Sequence, residues 1–122
     1  MKDMKESPVF VKTFEMVAWL IPLTVKFPRE QRFVVATAVQ RAAFATQEAL
    51  IRASQSATPG DALEHLGEAA TQLTLLRFYL RLCERMAFIT VKQYEYASER
   101  LGEIGRLVRG WQRASQERYS AS

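Results

Sequence analysis

Cysteine occurs once in the 122 residues, at Cys83, and histidine once, at His65. A single cysteine excludes an internal disulfide and suits a reducing compartment. The two together are too few to ligate zinc. One histidine cannot supply the paired Glu-x-x-His motifs of a di-iron bundle. No metal or other cofactor is therefore expected, and no catalytic residue. Lysine is also scarce, with five Lys against twelve Arg. Arginine suits a bidentate grip on phosphate or carboxylate, whereas lysine is the usual solubilising charge. The net charge of +4 permits an acidic partner without requiring one. Long apolar runs are missing as well. The longest, 16–25, is interrupted by Pro22 and has about half the length of a bilayer span. The opening M-K-D-M-K-E-S-P does not have the pattern of a signal peptide. A cytoplasmic protein is expected.

Period-two alternation is missing too, so no sheet is expected. What the chain has instead is helical spacing divided by a few breakers. The 122 residues, 48% of them apolar and 25% charged, fit one domain with one core. Ser7-Pro8 reads as the start of a first helix over about 8–27, with a kink at Pro22. Pro28-Arg29-Glu30 opens a second over about 28–54. Thr58-Pro59-Gly60-Asp61 caps a third over about 59–86. Thr90-x-x-Gln93 is a capping box for a fourth over about 90–115, followed by a flexible polar tail. Short connections make neighbours antiparallel. The expected fold is all-α: an antiparallel up-down-up-down four-helix bundle.

Two seams support that architecture. Ala62, Leu66, Ala69, Leu73, Leu76, Leu80, Cys83 and Ala87 step by fours and threes along the third helix, and Tyr94, Ala97, Leu101, Ile104, Val108 and Trp111 along the fourth. Cys83 thus reads as a small core residue, not a nucleophile. His65, in the polar half of the third helix, reads as a surface residue. The second helix is apolar nearly all round between Phe33 and Ala45, which points to burial on two sides. One side would face its own bundle and the other a second copy, with Phe33, Val34, Phe44 and Phe78 as interface candidates. Gly102-x-x-Gly105 follows no strand and lacks the Lys-Ser/Thr of a phosphate loop. A helical glycine costs about 1 kcal/mol relative to alanine, so close helix contact or a nearby partner is expected there.

The arginines are the remaining signal. Arg77, Arg81 and Arg85 recur every four residues through L-R-F-Y-L-R-L-C-E-R-M-A-F, with Phe78 among them. Arg106, Arg109 and Arg113 form a stripe opposite the fourth seam. An aromatic interleaved with arginines outside the core is a mixed contact surface. The plainer alternatives are macrodipole complementarity in the fourth helix and ion pairs to Glu84 or neighbouring helices in the third.

The segment L-R-F-Y-L-R-L at 76–82 resembles the L-R-F-W-L-R segment of the accessory variability determinant (Avd) proteins of diversity-generating retroelements. T-V-K-Q-Y-E-Y-A at 90–97 and E-I-G-R-L-V-R-G-W at 103–111 resemble that family's Thr-started fourth helix, its E-V-G-R, and a tryptophan five residues after that arginine. W-L-I-P-L-T-V-K-F-P-R at 19–29 resembles its first helix. The likeness runs from about residue 11 to 113. It implies a four-helix bundle that assembles as a homo-oligomer, a pentameric ring. It implies partners too: the reverse transcriptase and the template RNA or its cDNA, in support of mutagenic retrohoming, with the errors arising in the polymerase. Arg77, Arg81 and Arg106 match basic positions of the family's motifs, whereas Arg109 and Arg113 rest on the helical stripe alone. A charge of +4 per chain would become roughly +20 in a five-membered ring. A second family with this fold, encoded in intervening sequences of 23S ribosomal RNA genes, usually carries E-x-W-x-x-A and N-I-A-E-G motifs. Both are missing here, and Q-E-A-L-I-R stands at 47–52. The alternative function is a structural homo-oligomer of that second type, without a nucleic-acid role.

Overall fold

The computed structural model describes residues 7–121. Four α-helices carry the chain: α1 (Pro8–Val25), α2 (Thr37–Ser54), α3 (Pro59–Arg85) and α4 (Val91–Ala121). Among the described residues there is no strand. α1 packs on α2 and α4, and α3 packs on the same two helices, so α1 and α3 occupy diagonal corners of an antiparallel bundle.

Local chemistry sets the ends. Thr58 Oγ1 accepts a hydrogen bond from the Asp61 amide at 3.1 Å and Pro59 fills the first turn, which starts α3. The capping box at α4 is reciprocal. The Gln93 amide donates to Thr90 Oγ1 at 3.0 Å, and the Thr90 amide donates to Gln93 Oε1 at 2.8 Å. Ser7 precedes α1 in extended geometry, but its side chain makes no capping bond. α3 ends in a six-to-one turn: the Phe88 amide donates to the Cys83 carbonyl at 2.8 Å. Ala87 closes that turn at φ 62°, in the left-handed region that favours glycine. It is exposed, and so leaves the seam on which its spacing placed it.

The largest departure lies between α1 and α2. The expected second helix from residue 28 begins instead as a 3-10 turn, Arg29–Gln31, and a π-helical turn, Arg32–Ala36. Pro28 holds extended backbone at ψ 140°. The Thr37 hydroxyl donates to the Arg32 carbonyl at 2.9 Å, five residues back, and bridges the widened turn. That turn sends Val35 and Ala36 into the core and leaves Phe33 (87% exposed) and Val34 outside. Between Phe33 and Ala45 the exposed residues are Phe33, Val34, Arg41 and Phe44, so the apolar outer face expected there is interrupted at Arg41, and beyond it Glu48 and Arg52 make the outer side of α2 polar. α4 also differs. It continues to Ala121 rather than fraying near 115, with Ser115 buried and the Tyr119 ring lying against Gly60.

The core is otherwise as its spacing requires. Ala62, Leu66, Ala69, Leu73, Leu76, Leu80 and Cys83 are buried on α3, and Ala97, Leu101, Ile104 and Val108 on α4. α1 supplies Val9, Met16 and Leu20, and α2 supplies Val39, Leu50 and four alanines. Buried threonines are satisfied within their own helices: Thr13 donates to the Val9 carbonyl at 2.6 Å and Thr46 to the Ala42 carbonyl at 2.8 Å. α1, with a mean hydropathy of 1.4, is long and apolar enough to cross a membrane. In the bundle it has two apolar faces, one in the core and one outside.

Candidate nucleic-acid interface

Along α4, glycines and arginines are paired in register. Gly102 precedes Arg106 by one turn, Gly105 precedes Arg109, and Gly110 precedes Arg113. Helical side chains lean toward the N-terminus, so each arginine lies back over the glycine before it. Measured from where a Cβ would sit on the glycine, Arg106 Nη1 is 3.5 Å from Gly102, Arg109 Nη1 is 3.4 Å from Gly105, and Arg113 Nη2 is 3.8 Å from Gly110. Close helix contact or a nearby partner was the expectation for these glycines. The groups nearest their bare faces are guanidinium groups.

α3 adds to this surface. Arg77 Nη2 reaches to 3.9 Å from the same point on Gly102 that Arg106 approaches. Two guanidinium groups from different helices thus converge over one stretch of backbone without a side chain. Two like charges brought together without an anion repel, and the arrangement is suited to a phosphate or carboxylate between them. Arg77, Arg81, Arg106, Arg109 and Arg113 are all exposed. None takes part in the ion pairs found among the described residues, which are Lys12–Glu103 at 2.8 Å, Arg100–Glu103 at 3.3 Å and Arg100–Glu99 at 3.9 Å. The pairing of Arg81 or Arg85 with Glu84 that the spacing allowed is not made. Arg81 lies one turn beyond Arg77, and nothing in the geometry joins it to the Arg77–Arg106 pair.

The contrasting arginine is Arg100, which the sequence pattern did not single out. It lies between α4 and α1, over the Tyr96 ring at 4.9 Å, and holds Glu103 together with Lys12. Tyr96 stacks in turn on Trp19, with centroids 4.9 Å apart. The hydrogen bond from Lys12, aided by the charges of Lys12, Arg100 and Arg106, holds the Glu103 carboxyl below its ordinary range. Arg100 Nε is buried and has no hydrogen-bond partner among the described residues. The signal for this network was the acid three residues after Arg100, but its third member comes from α1, far away in sequence.

Of the interface candidates, Phe33, Val34 and Phe78 are strongly exposed and Phe44 moderately so. Exposed apolar residues that the periodicity did not reveal are Val11, Phe14 and Val25 on α1, and Leu75, Leu82 and Met86 on or just after α3. Cys83 is buried, and burial pushes its thiol up to about 11, so it stays protonated at neutral pH. Among the described residues no three His, Cys, Asp or Glu cluster as metal ligands would. A cavity of about 530 Å³ opens at the loop end of the bundle, between Phe10, Ala53, Thr58, Trp111 and Arg118.

The sequence profile of the bAvd-like family matches residues 9–115. Among curated proteins nothing matches. Among solved structures, a protein of unknown function from the S23 ribosomal protein family of Bacteroides thetaiotaomicron superposes with a TM-score of 0.79 at 24% identity. The match covers 85% of this chain and 97% of that one. At that identity the likeness shows the shared four-helix fold.

Proposed function

The chain belongs to the bAvd-like family, and on that footing we propose that it is a non-catalytic accessory subunit of a diversity-generating retroelement. In this reading it binds the reverse transcriptase and the template RNA or its cDNA, and supports mutagenic retrohoming. It works as a cytoplasmic homo-oligomer, a ring of five copies in the family's pattern. The observation that carries the reading is the convergence of Arg77 and Arg106, neither of them in an ion pair among the described residues, over the bare backbone of Gly102. Arg109 and Arg113 extend that surface along α4 with the same spacing. An exposed arginine that lies against its own helix presents its planar face and outward N–H groups at little further cost in ordering, which favours a polyanion. Repetition of the surface round a ring would raise the local concentration of RNA.

The test is co-purification of the chain with its polymerase and template RNA. The wild type is expected to retain both. A variant carrying Arg77→Glu and Arg106→Glu is expected to keep its helical circular dichroism and lose at least one. A folded variant that retains both at wild-type yield would overturn the assignment. The rival reading is a structural homo-oligomer without a nucleic-acid role, which the exposed apolar residues of α1 and α3 would serve equally well. It requires loss of Arg77 and Arg81 to break the oligomer, which light scattering detects.

A further inference from the structure

The cavity of about 530 Å³ lies where the start of α1, the loop between α2 and α3, the start of α3 and the end of α4 meet. Pockets that hold small molecules have volumes of about 300–1,000 Å³. Phe10 and Trp111 form an aromatic wall, with their rings edge to face and centroids 6.0 Å apart. Ala53 and Ala62, both buried, contribute only methyl groups, which leaves room beside the rings. Nearby hydroxyls are committed to backbone: Ser56 Oγ donates to the Arg52 carbonyl at 2.9 Å, and Thr58 Oγ1 accepts the Asp61 amide. Among the described lining residues, exposed Arg118 carries the only formal charge. Its Nη2 reaches Ser115 Oγ at 3.5 Å, the outer limit of a hydrogen bond, and it makes no ion pair among the described residues.

We propose that this cavity binds a small flat anion: an aromatic or heteroaromatic ring lying along Trp111 and Phe10, with a carboxylate or phosphate on the Arg118 guanidinium. Trp111 and Arg118 are seven residues apart, so at about 100° per residue they share one face of α4. Arg118 follows Arg109 by nine residues, which turns it about half-way round the helix from the Arg106–Arg109–Arg113 stripe. It therefore serves a different surface, and the site does not depend on RNA binding at Arg77 and Arg106. The last turns of α4 are seated by Tyr119. A Cβ on Gly60 would come within 3.1 Å of Tyr119 Cε2, closer than side chains pack, so the bare glycine lets the ring lie on the first turn of α3. Arg118 and Tyr119 both lie past residue 115, outside the span that the family profile matches. Asp61 and Glu117, the acids nearest in sequence to Thr58 and Arg118, are exposed and do not line the cavity, so neither occupies the anion's place. Ring and charge are both required. An uncharged ring leaves the planar guanidinium without its bidentate partner, and an anion without a ring leaves the aromatic wall in water.

The experiment titrates the full, isotope-labelled chain with indole-3-acetate and with adenosine monophosphate, which present the two anions, and with indole and adenosine as their uncharged counterparts. The readout is the pair of indole N–H signals of Trp19 and Trp111 in nuclear magnetic resonance, assigned with Trp19→Phe. Trp19 packs on Tyr96 and does not line the cavity, so it is the internal control. At least one anion is expected to shift Trp111 saturably and leave Trp19 in place, and the anion that does so identifies the carboxylate or the phosphate. Its uncharged counterpart is expected to bind about tenfold more weakly. Arg118→Gln should weaken the anion by a similar factor, and Ala57→Phe, which fills the mouth of the cavity, should abolish the shift. Both positions are exposed, so both variants are expected to keep the helical circular dichroism of the wild type. No shift of Trp111 by either anion at about 5 mM, or an anion affinity that folded Arg118→Gln leaves unchanged, would overturn the site.

Discussion

Removing Arg77 and Arg106 together should change the salt dependence of RNA binding, not only its strength. Each arginine that neutralises a phosphate releases condensed counterions, and for single-stranded nucleic acid each contact adds about 0.7 to the slope of log affinity against log salt. Arg77, Arg106, Arg109 and Arg113 are exposed and make no ion pair among the described residues, so each is available to one phosphate per copy. Four such contacts give a slope near −2.8, and affinity then falls about 50-fold between roughly 50 and 200 mM salt. With two contacts gone, the slope should drop to about −1.4 and the same interval should cost about 7-fold. Fluorescence anisotropy of a labelled template RNA, titrated at four salt concentrations, measures both slopes. Since the two side chains are exposed, the variant should fold and assemble as the wild type does. A double variant with the wild-type slope, or a wild type whose affinity is flat over that range, would refute the electrostatic account.

Three further outcomes follow from local geometry. Gly102→Ala should raise stability by about 1 kcal/mol, because a methyl meets Arg106 and Arg77 only at ordinary contact distance and alanine is the better helix former. RNA affinity should fall at the same time if phosphate approaches that backbone, and chemical denaturation with anisotropy reads the two effects separately. Ala87→Gly should stabilise the bundle by about 1 kcal/mol in urea titration, since the residue sits at φ 62°. The fold holds the Glu103 carboxyl below its ordinary value of 4.5, chiefly through the hydrogen bond from Lys12. Its contribution is thus complete above the ordinary carboxylate range and lost as pH falls through the lowered value. Melting temperature followed from neutral to acid pH should show a drop that Glu103→Gln reduces, and an unchanged acid profile would count against the Lys12 pairing.

The seams of α3 and α4 were legible because one helix face is read by one period. Leu66, Leu76, Leu80, Leu101 and Ile104 all fall where the four-three steps put them. The capping box at Thr90 and the Thr58 cap were legible for a similar reason, since a cap is a local hydrogen bond between residues three apart. The start of α2 was not. Pro28 announces a helix, but the wide turn that follows depends on packing Val35 and Ala36 under α1, which no local pattern states. The outer stripe of α1 was hidden by the same mostly apolar composition that made the helix easy to find. Which of two apolar faces is buried depends on where the neighbouring helices lie. The arginines were found as a type and a spacing, but Arg81 was grouped with Arg77 by sequence and Arg106 stands beside it in space. That junction crosses from α3 to α4 over Gly102, and only the fold brings it together.

In the proposed function this arginine surface makes the chain a working partner of the polymerase. The most direct measurement is cDNA synthesis by the reconstituted reverse transcriptase on its template RNA, with wild-type chain or with the folded, assembled Arg77→Ala, Arg106→Ala variant. cDNA is expected with the wild type and little or none with the variant. Equal cDNA yield from both would contradict it.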